Sequence, residues 1–153
     1  MNYICYAENE SQYEKLRIIT CDLPLEIRLL SSYPNDNDVL KAHTIFLLSN
    51  GCIYLPIRNP NDSTVIISYD NVTSAYKLKD SRLPLITYGM SDKATISCSS
   101  ITEDCLLISL QRSIKAINGT SLEPQELVVN RHCEQSDNEI MMIEAAIKLL
   151  LSE

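Results

Sequence analysis

The sequence predicts an α/β fold, in which a mostly parallel sheet with helices is followed by a small antiparallel β segment and a C-terminal helix. Two observations predict this architecture. In the first half, short apolar runs rich in β-branched residues alternate with segments of helical spacing. In the second half, apolar runs are separated by turn sequences, and the chain ends in a long segment that begins with a helix-capping pattern.

The first predicted element is a buried strand over residues 16–23. Its sequence, LRIITCDL, is short, apolar and rich in β-branched residues. Pro24 stops the strand, and a helical turn is expected to follow over residues 25–30.

A helix is predicted over residues 38–48. Its apolar residues recur at helical spacing, Asp38 can cap its start, and Asn50-Gly51 ends it. This helix is expected to carry His43 among apolar neighbours.

Three further strands and a short helix complete the first half. The strands are predicted at residues 52–57, 64–70 and 83–89, and the helix at residues 71–78. Pro56 makes the first of these strands an edge candidate, because proline cannot donate a ladder hydrogen bond. Alternation of strand and helix predicts parallel pairing and hence a Rossmann-like sheet.

After Gly89 the sequence changes character. Residues 93–101, 105–117 and 125–132 read as strands, separated by turns at residues 102–104 and at Asn118-Gly119, a strong turn dipeptide. We therefore expect a small antiparallel sheet or ribbon in this half.

The chain length of 153 residues suits one domain with a sizeable core, or one and a half small domains. We divide it into a partial α/β region, residues 1–89, and a β-ribbon with the C-terminal helix, residues 90–153. The two regions are expected to pack as one compact unit.

The last helix begins with a capping box, Ser136 and Glu139. Glu144 and Lys148 form a favourably oriented i, i+4 pair. The helix is otherwise apolar around most of its circumference, whereas a surface helix is polar over about half of it. It is therefore either sandwiched in the core or covered by a second subunit.

Composition narrows the classes of function. Apolar residues make up 45% of the chain, and the formal net charge is −7, which argues against nucleic acid or an anionic membrane as the main partner. No segment has the features of a signal peptide or a membrane span, so a cytoplasmic location is expected. In that compartment the six cysteines are expected to be free thiols: Cys5, Cys21, Cys52, Cys98, Cys105 and Cys133.

Four segments, in order, resemble the Mur ligase family, the ATP-dependent enzymes that add amino acids to the peptidoglycan precursor. RIITCDLPLEIRLLSSYPNDNDVLKAHTIF is similar to a family strand ending in Thr-Asn-Ile, an Asp-His-Leu and a helix with an Ala-Lys pair. TVIISYDNVTSAYKL resembles the strand ending in Asn-x-Asp-Asp with its helix. LITYGMSDKATIS resembles the closing strand with its Tyr-Gly and the strand that follows, and NEIMMIEAAIKLLL the helix that begins with Asn-x-x-Asn.

The resemblance covers residues 16–151 and implies the later part of the central ATPase domain with the start of the C-terminal domain. Several family residues are missing, however. No Gly-x-x-Gly-Lys-Thr/Ser loop is present, since the only glycines are Gly51, Gly89 and Gly119 and none precedes a lysine. Without that loop there is neither a cup of backbone N–H groups nor a lysine for a triphosphate.

The other family positions have also changed. The Asp-His-Leu is Leu25-Glu26-Ile27, and the helix lysine that carries the metal-holding carbamate falls on or beside His43. The two asparagines that meet adenine in the family fall on Glu139 and Met142. Phosphoryl transfer needs positioning and neutralising cations, so we expect no ligase activity, no cofactor and no metal site.

A residual ligand pocket is the sharpest site hypothesis. It is formed by His43, Asp70, Asn71 and Tyr88, because ligands of open α/β sheets bind beyond the carboxyl ends of the strands. His43 is alternatively a partly buried histidine with a satisfied hydrogen bond, and Asp70-Asn71 is alternatively the cap of the following helix.

Two other pairs of residues are weaker candidates for catalysis. His132 and Cys133 are adjacent, but neighbouring residues on a strand point to opposite faces. Glu123 and Glu126 flank a proline, where a solvated turn is commoner than an acid–base pair.

The sequence thus predicts a non-catalytic interaction or scaffold module with no catalytic residues. It is expected to form a homo-oligomer through the C-terminal helix, and a cell-wall synthesis protein is a candidate partner. The alternative is a small-ligand sensor that retains part of a nucleotide or peptidoglycan-precursor pocket.

Overall fold

The fold is α/β, as predicted. The structure, a computed structural model, describes residues 2–35, 42–48, 60–71, 83–132 and 136–152. The chain divides into two compact units, Met1–Leu85 and Ile86–Glu153. The boundary thus lies four residues before the predicted change at Gly89.

The first unit is a parallel sheet with one described helix. Its strands lie in the order β2-β1-β3-β4, and every pairing among them is parallel. Three short 3-10 turns, Leu30–Asn35, Pro60–Asp62 and Tyr69–Asn71, lie between or after the strands. The elements are β1 (Asn2–Ala7), α1 (Glu10–Ile19), β2 (Leu25–Leu29), β3 (Ala42–Leu48) and β4 (Ser63–Ser68).

Three aromatic rings form the centre of one core layer of this unit. Tyr6 of β1 stacks on Phe46 of β3 with ring centroids 5.7 Å apart, and Tyr33 meets both rings edge-on at 5.2 and 5.0 Å. All three are almost fully buried, and Ile4, Leu48, Val65 and Ile67 surround them. Such edge-to-face and stacked geometries are the arrangements that aromatic pairs prefer.

The predicted strand at residues 16–23 is wrong, because residues 16–19 end helix α1 and residues 20–23 form a turn. Asn9 caps this helix by accepting a hydrogen bond from the Gln12 N–H at 2.9 Å. Gln12, Leu16 and Ile19 are its buried residues, at the i, i+4, i+7 spacing of one helix face. The helix therefore begins in the polar segment before Leu16. Its periodicity is not visible in the apolar run from Leu16 onwards when that run is considered alone.

The helical turn predicted over residues 25–30 is also wrong, because Leu25–Leu29 is strand β2, paired in parallel with β1. The helix predicted over residues 38–48 is wrong as well, because Ala42–Leu48 is strand β3. All but one of its residues are buried, and such a run fits a parallel strand covered on both faces as well as a buried helix. His43 therefore lies on a strand.

Strand β1 was not anticipated. The strand predicted at residues 64–70 is confirmed as β4, whereas the edge strand at 52–57 and nearly all of the helix at 71–78 lie outside the described residues.

The second unit has a mixed sheet, a small hairpin and one helix. Strand β5 pairs in parallel with β6, β7 pairs antiparallel with both β6 and β10, and β8 pairs antiparallel with β9. Its elements are β5 (Leu85–Tyr88), β6 (Ile96–Ile101), β7 (Cys105–Leu110), β8 (Ile114–Lys115), β9 (Ser121–Leu122), β10 (Gln125–Asn130) and α2 (Asn138–Leu150).

The predicted turn at Asn118-Gly119 is confirmed between β8 and β9. Gly119 has φ of +89°, a conformation that glycine adopts without steric penalty. The antiparallel character predicted for this half is confirmed too.

Helix α2 is buried over most of its circumference within the single chain. Ten of its residues are buried, and it packs on β6, β7 and β10. Of the two alternatives, the structure therefore has the helix that lies in the core. Self-association through α2 stays a prediction. The N-cap is Asp137, which accepts from the Ile140 N–H at 2.8 Å, rather than the expected Ser136.

Among the described residues, no helix has the length and apolar character needed to cross a membrane.

Candidate functional site

Tyr88, a residue of the predicted ligand pocket, contacts Glu139 of helix α2. Tyr88 ends strand β5 and is 2% exposed, and its hydroxyl donates a 2.7 Å hydrogen bond to Oε1 of Glu139. Glu139 lies in the first turn of α2, where the positive end of the helix dipole favours a carboxylate. The contact joins the end of a strand to the start of a helix 51 residues later.

Met142, three residues beyond Glu139, is 4% exposed. The family resemblance predicts that Glu139 and Met142 occupy the positions of two adenine-contacting asparagines. An asparagine amide offers both a donor and an acceptor, whereas an ionised carboxylate only accepts and a thioether is a weak acceptor. These two side chains cannot read an adenine edge as asparagines do.

His43 lies at the amino end of β3, half-buried, with its Nε2 3.1 Å from the hydroxyl of Thr64 on β4. The pKa of His43 is lowered, mainly because burial disfavours the charged imidazolium, while the charge of Asp62 acts in the opposite direction. This environment matches the alternative of a partly buried histidine with a satisfied hydrogen bond.

Asp70 follows the carboxyl end of β4, as the sequence predicted. Its side chain is exposed in the 3-10 turn Tyr69–Asn71, and its backbone N–H donates to the Ser68 hydroxyl at 3.3 Å. The side chain of Asn71 lies outside what the structure describes.

The structure does not bring His43 and Asp70 together. Strands β3 and β4 are parallel, so the start of β3 and the end of β4 lie at opposite edges of the sheet. From Thr64, which contacts His43, to Ser68 the strand extends about 13 Å at 3.3 Å per residue. His43 therefore does not belong to a pocket with Asp70. Tyr88 belongs to the second unit and contacts Glu139 there.

A second polar cluster centres on Glu144 in the middle of α2. Glu144 is 0% exposed, and its Oε1 lies 2.5 Å from Nε2 of His132 and 3.3 Å from Nζ of Lys148. The pair that the sequence predicted with Lys148 is confirmed. Burial of a carboxylate is unfavourable unless it is paired, and these two cations or donors supply the pairing.

The other oxygen of Glu144 has no hydrogen-bond partner among the described residues. Oε2 is buried and makes no hydrogen bond, and Thr44 Oγ1 is the other such atom among the described residues. Chemically, the arrangement holds the His132 ring against a fixed carboxylate, with the histidine side chain 38% exposed. Cys133, the hypothetical nucleophile beside it, lies outside the described residues.

Arg131 fastens the segment that carries His132. Its guanidinium donates to the backbone carbonyls of Ser136, Glu103 and Thr102 and to Oδ1 of Asn138. The arginine thus ties the β6–β7 turn to the start of α2, which positions both Glu139 and His132.

The other candidate residues that the structure describes do not come together in one site. Glu123 and Glu126 are exposed, and Glu123 Oε2 accepts from the Ser113 hydroxyl at 3.1 Å. The four described cysteines are free, as predicted, with Cys5 buried and Cys21 exposed. Within the described ranges, no group of three histidine, cysteine or acidic side chains is arranged to hold a metal ion.

Sequence reasoning missed three features: the Tyr88–Glu139 contact, the full burial of Glu144 and the hub role of Arg131. A carboxylate in an otherwise apolar helix was the available signal for Glu144. Nothing local marked the other two, since their partners lie far along the chain or are backbone carbonyls.

In comparisons with known proteins, no family model, no curated protein and no solved structure matches this chain.

Proposed function

We propose that this chain is a non-catalytic, Mur-ligase-like protein that acts as an interaction or scaffold module. One observation supports this proposal above the others. The positions on which the adenine-contacting asparagines fall are occupied by Glu139, hydrogen-bonded to Tyr88, and by the buried Met142. The nucleotide-reading amides have been replaced by groups that serve the protein's own packing.

The second unit carries the resemblance better than the first. Strand β5 with Tyr88-Gly89, the following strand β6 and helix α2 with Ala145-Ala146 have the secondary structure that the resemblance implies. The first unit does not, because residues 16–19 end helix α1 and Ala42–Leu48 is strand β3, where the resemblance implies a strand and a helix, respectively.

An interaction role also agrees with the exposed apolar side chains. Four large ones are exposed among the described residues, namely Ile18, Met90, Ile101 and Val128. Single exposed apolar residues are common on any protein. They indicate an interaction surface only where they belong to a larger exposed surface on one element.

The proposal is tested by calorimetric titration of the full chain with ATP and magnesium, and with adenosine alone. We expect no saturable heat for either ligand. The matched variant Glu139→Asn restores one amide, and we expect it to remain silent towards ATP because the phosphate loop is still missing. Saturable, magnesium-dependent ATP binding by the wild type contradicts the proposal.

A small-ligand sensor is the second candidate function. It is supported by Asp70, whose exposed carboxylate follows the carboxyl end of a parallel strand, where α/β sheets bind ligands. A thermal-shift screen with nucleotides and muramyl precursors, run on wild type and Asp70→Asn, tests it. A shift that Asp70→Asn abolishes supports the sensor, and no shift with any compound removes it.

A further inference from the structure

Strand β10 is an edge strand of the second unit. It pairs with β7 on one side, and Gln125–Asn130 makes no backbone hydrogen bond outside that ladder in the part of the chain that the structure describes. In an antiparallel ladder, alternate residues direct their N–H and C=O groups away from the partner strand. The free side of β10 therefore offers a row of backbone donors and acceptors.

Among the described residues, strand β10 has few of the features that protect an edge strand from pairing. Natural edges are protected by lysine, proline, bulges or a covering element. The sequence QELVVN has no lysine or proline, and its pairing with β7 is regular over all six residues. Its single charge is Glu126.

The outward face of β10 carries an exposed apolar residue at its middle. Val128 is 61% exposed and lies opposite the half-buried Leu107 of β7. Glu126 and Asn130 flank it on the same face and are both exposed. Leu127 and Val129 point to the other face, where Val129 is 2% exposed.

We propose that β10 is the docking surface for a second copy of this chain, paired antiparallel about a twofold axis through Val128. In an antiparallel pair, residues directly opposite each other point to the same face of the sheet. Because side chains alternate between faces along a strand, the twofold axis of a self-pairing must pass through a residue and not between two residues. Centred on Val128, the pairing places Val128 against its own copy. Glu126 then faces Asn130 of the other copy, and Leu127 faces Val129.

This register is self-complementary. The Asn130 amide can donate to the Glu126 carboxylate twice per dimer, the two valines make a cross-strand apolar contact, and the two glutamates do not face each other. The neighbouring register, centred on Leu127, sets the Glu126 carboxylate against Val128 and leaves its charge unpaired. The chemistry of the strand therefore selects the first register.

A pairing of two six-residue strands would bury a small area, and the chain is acidic, with a formal net charge of −7. An interface well below the standard size of about 1,600 Å² is expected to associate weakly, with a dissociation constant in the micromolar range. Salt that screens the repulsion between two acidic copies should tighten the dimer. The inference goes beyond the proposed function, which does not require a dimer.

Sedimentation equilibrium of the full chain across the micromolar range tests the surface. We expect a monomer–dimer equilibrium that Val128→Lys weakens about tenfold or more, because two lysines then face each other. Ile18→Lys is the matched control, since Ile18 is also 61% exposed but lies on α1. We expect it to leave the dissociation constant within about twofold of wild type.

A charge pair tests the register. Asn130→Lys places a cation opposite Glu126 and should tighten the dimer about three- to tenfold, whereas Asn130→Asp should loosen it by a similar factor. Both variants change one exposed side chain, so they remain informative if Val128→Lys fails to fold. Circular dichroism checks the fold of each.

A wild type that is monomeric at every concentration overturns the inference, and so does an equal effect of Ile18→Lys and Val128→Lys. Shifts in the same direction for Asn130→Lys and Asn130→Asp also overturn it, because the register then is not the one stated. None of these outcomes affects the ATP titration, so failure of the dimer and failure of the proposed function are separately visible.

Discussion

Nε2 of His132 lies 2.5 Å from Oε1 of Glu144, a carboxylate with no exposed surface. The two residues are 12 positions apart, one just after β10 and the other in the middle of α2. Because a buried carboxylate is stable only when it is paired, this contact ties the end of the sheet to the helix that covers it.

Removing His132 should therefore destabilise the chain more than its partly exposed position suggests. We expect His132→Ala to lower the free energy of unfolding by about 1–3 kcal/mol, because Glu144 loses its closest partner while remaining buried. Urea denaturation followed by circular dichroism measures the loss.

The double variant His132→Ala with Glu144→Met is the control. It removes the buried charge as well as its partner, and replacement of a buried pair by apolar residues is often neutral. We expect it to recover most of the stability that His132→Ala loses. If the single and double variants are equally unstable, the histidine contributes by packing and the pairing argument is wrong.

The contact between Tyr88 and Glu139 should be measurable as a coupling between two elements. Tyr88→Phe keeps the buried ring and removes only the hydroxyl, so we expect a loss of about 1.5–3 kcal/mol, the range for a hydrogen bond to a charged group. Glu139→Ala and the double variant complete a double-mutant cycle in urea unfolding. Strictly additive losses would show that the hydrogen bond contributes nothing.

The fold class could be predicted from the sequence because local patterns are sufficient to predict five of the elements, namely β4, β5, β6, β7 and α2. Strand β4, STVIIS, is too short and too β-branched for a helix, and Gly119 marks the turn between β8 and β9. These elements needed no knowledge of their neighbours.

The first half was harder because burial on both faces removes periodicity. Strand β3, AHTIFLL, is buried at nearly every position, so its apolar pattern matches a strand and a helix equally. For α1 the decisive residue was Asn9, whose cap starts the helix at Glu10, nearly two turns before the apolar run begins at Leu16.

The candidate site was predicted least well, since its contacts join distant residues. Asp70 lies after the carboxyl end of β4, as the strand pattern predicted. His43 lies at the opposite edge of the sheet from Asp70, because its segment is a strand and not the predicted helix. The partner of Tyr88 lies 51 residues away, beyond the reach of any local pattern.

Cys5 should be inert towards thiol reagents in the folded protein. It is fully buried in β1, and burial raises the pKa of its thiol, so almost no thiolate is present or accessible. Cys21 is exposed and is the internal control.

Mass spectrometry after brief iodoacetamide treatment compares the two peptides. We expect alkylation of Cys21 in the native protein and of both residues in urea. Native modification of Cys5 at the rate of Cys21 would mean that β1 opens readily.

His43 should make the stability of the chain depend on pH. Its pKa in the folded state is lowered, mainly by burial, whereas the unfolded chain has the ordinary value near 6.5. Below that pH the unfolded state binds more protons than the folded state. The free energy of unfolding that His43 contributes is therefore full above about pH 6.5 and falls as the pH drops from there towards the lowered folded pKa.

His43→Asn isolates this effect, because asparagine can still hydrogen-bond to Thr64 but does not titrate. We expect wild type to lose more stability than His43→Asn between a pH above 6.5 and one below it, in urea unfolding at matched ionic strength. The charge of Asp62 opposes the lowering of the His43 pKa. Removing that charge with Asp62→Asn should therefore enlarge the loss of stability at low pH. An equal loss in wild type and His43→Asn would show that the imidazole is as easily protonated in the fold as in the unfolded chain.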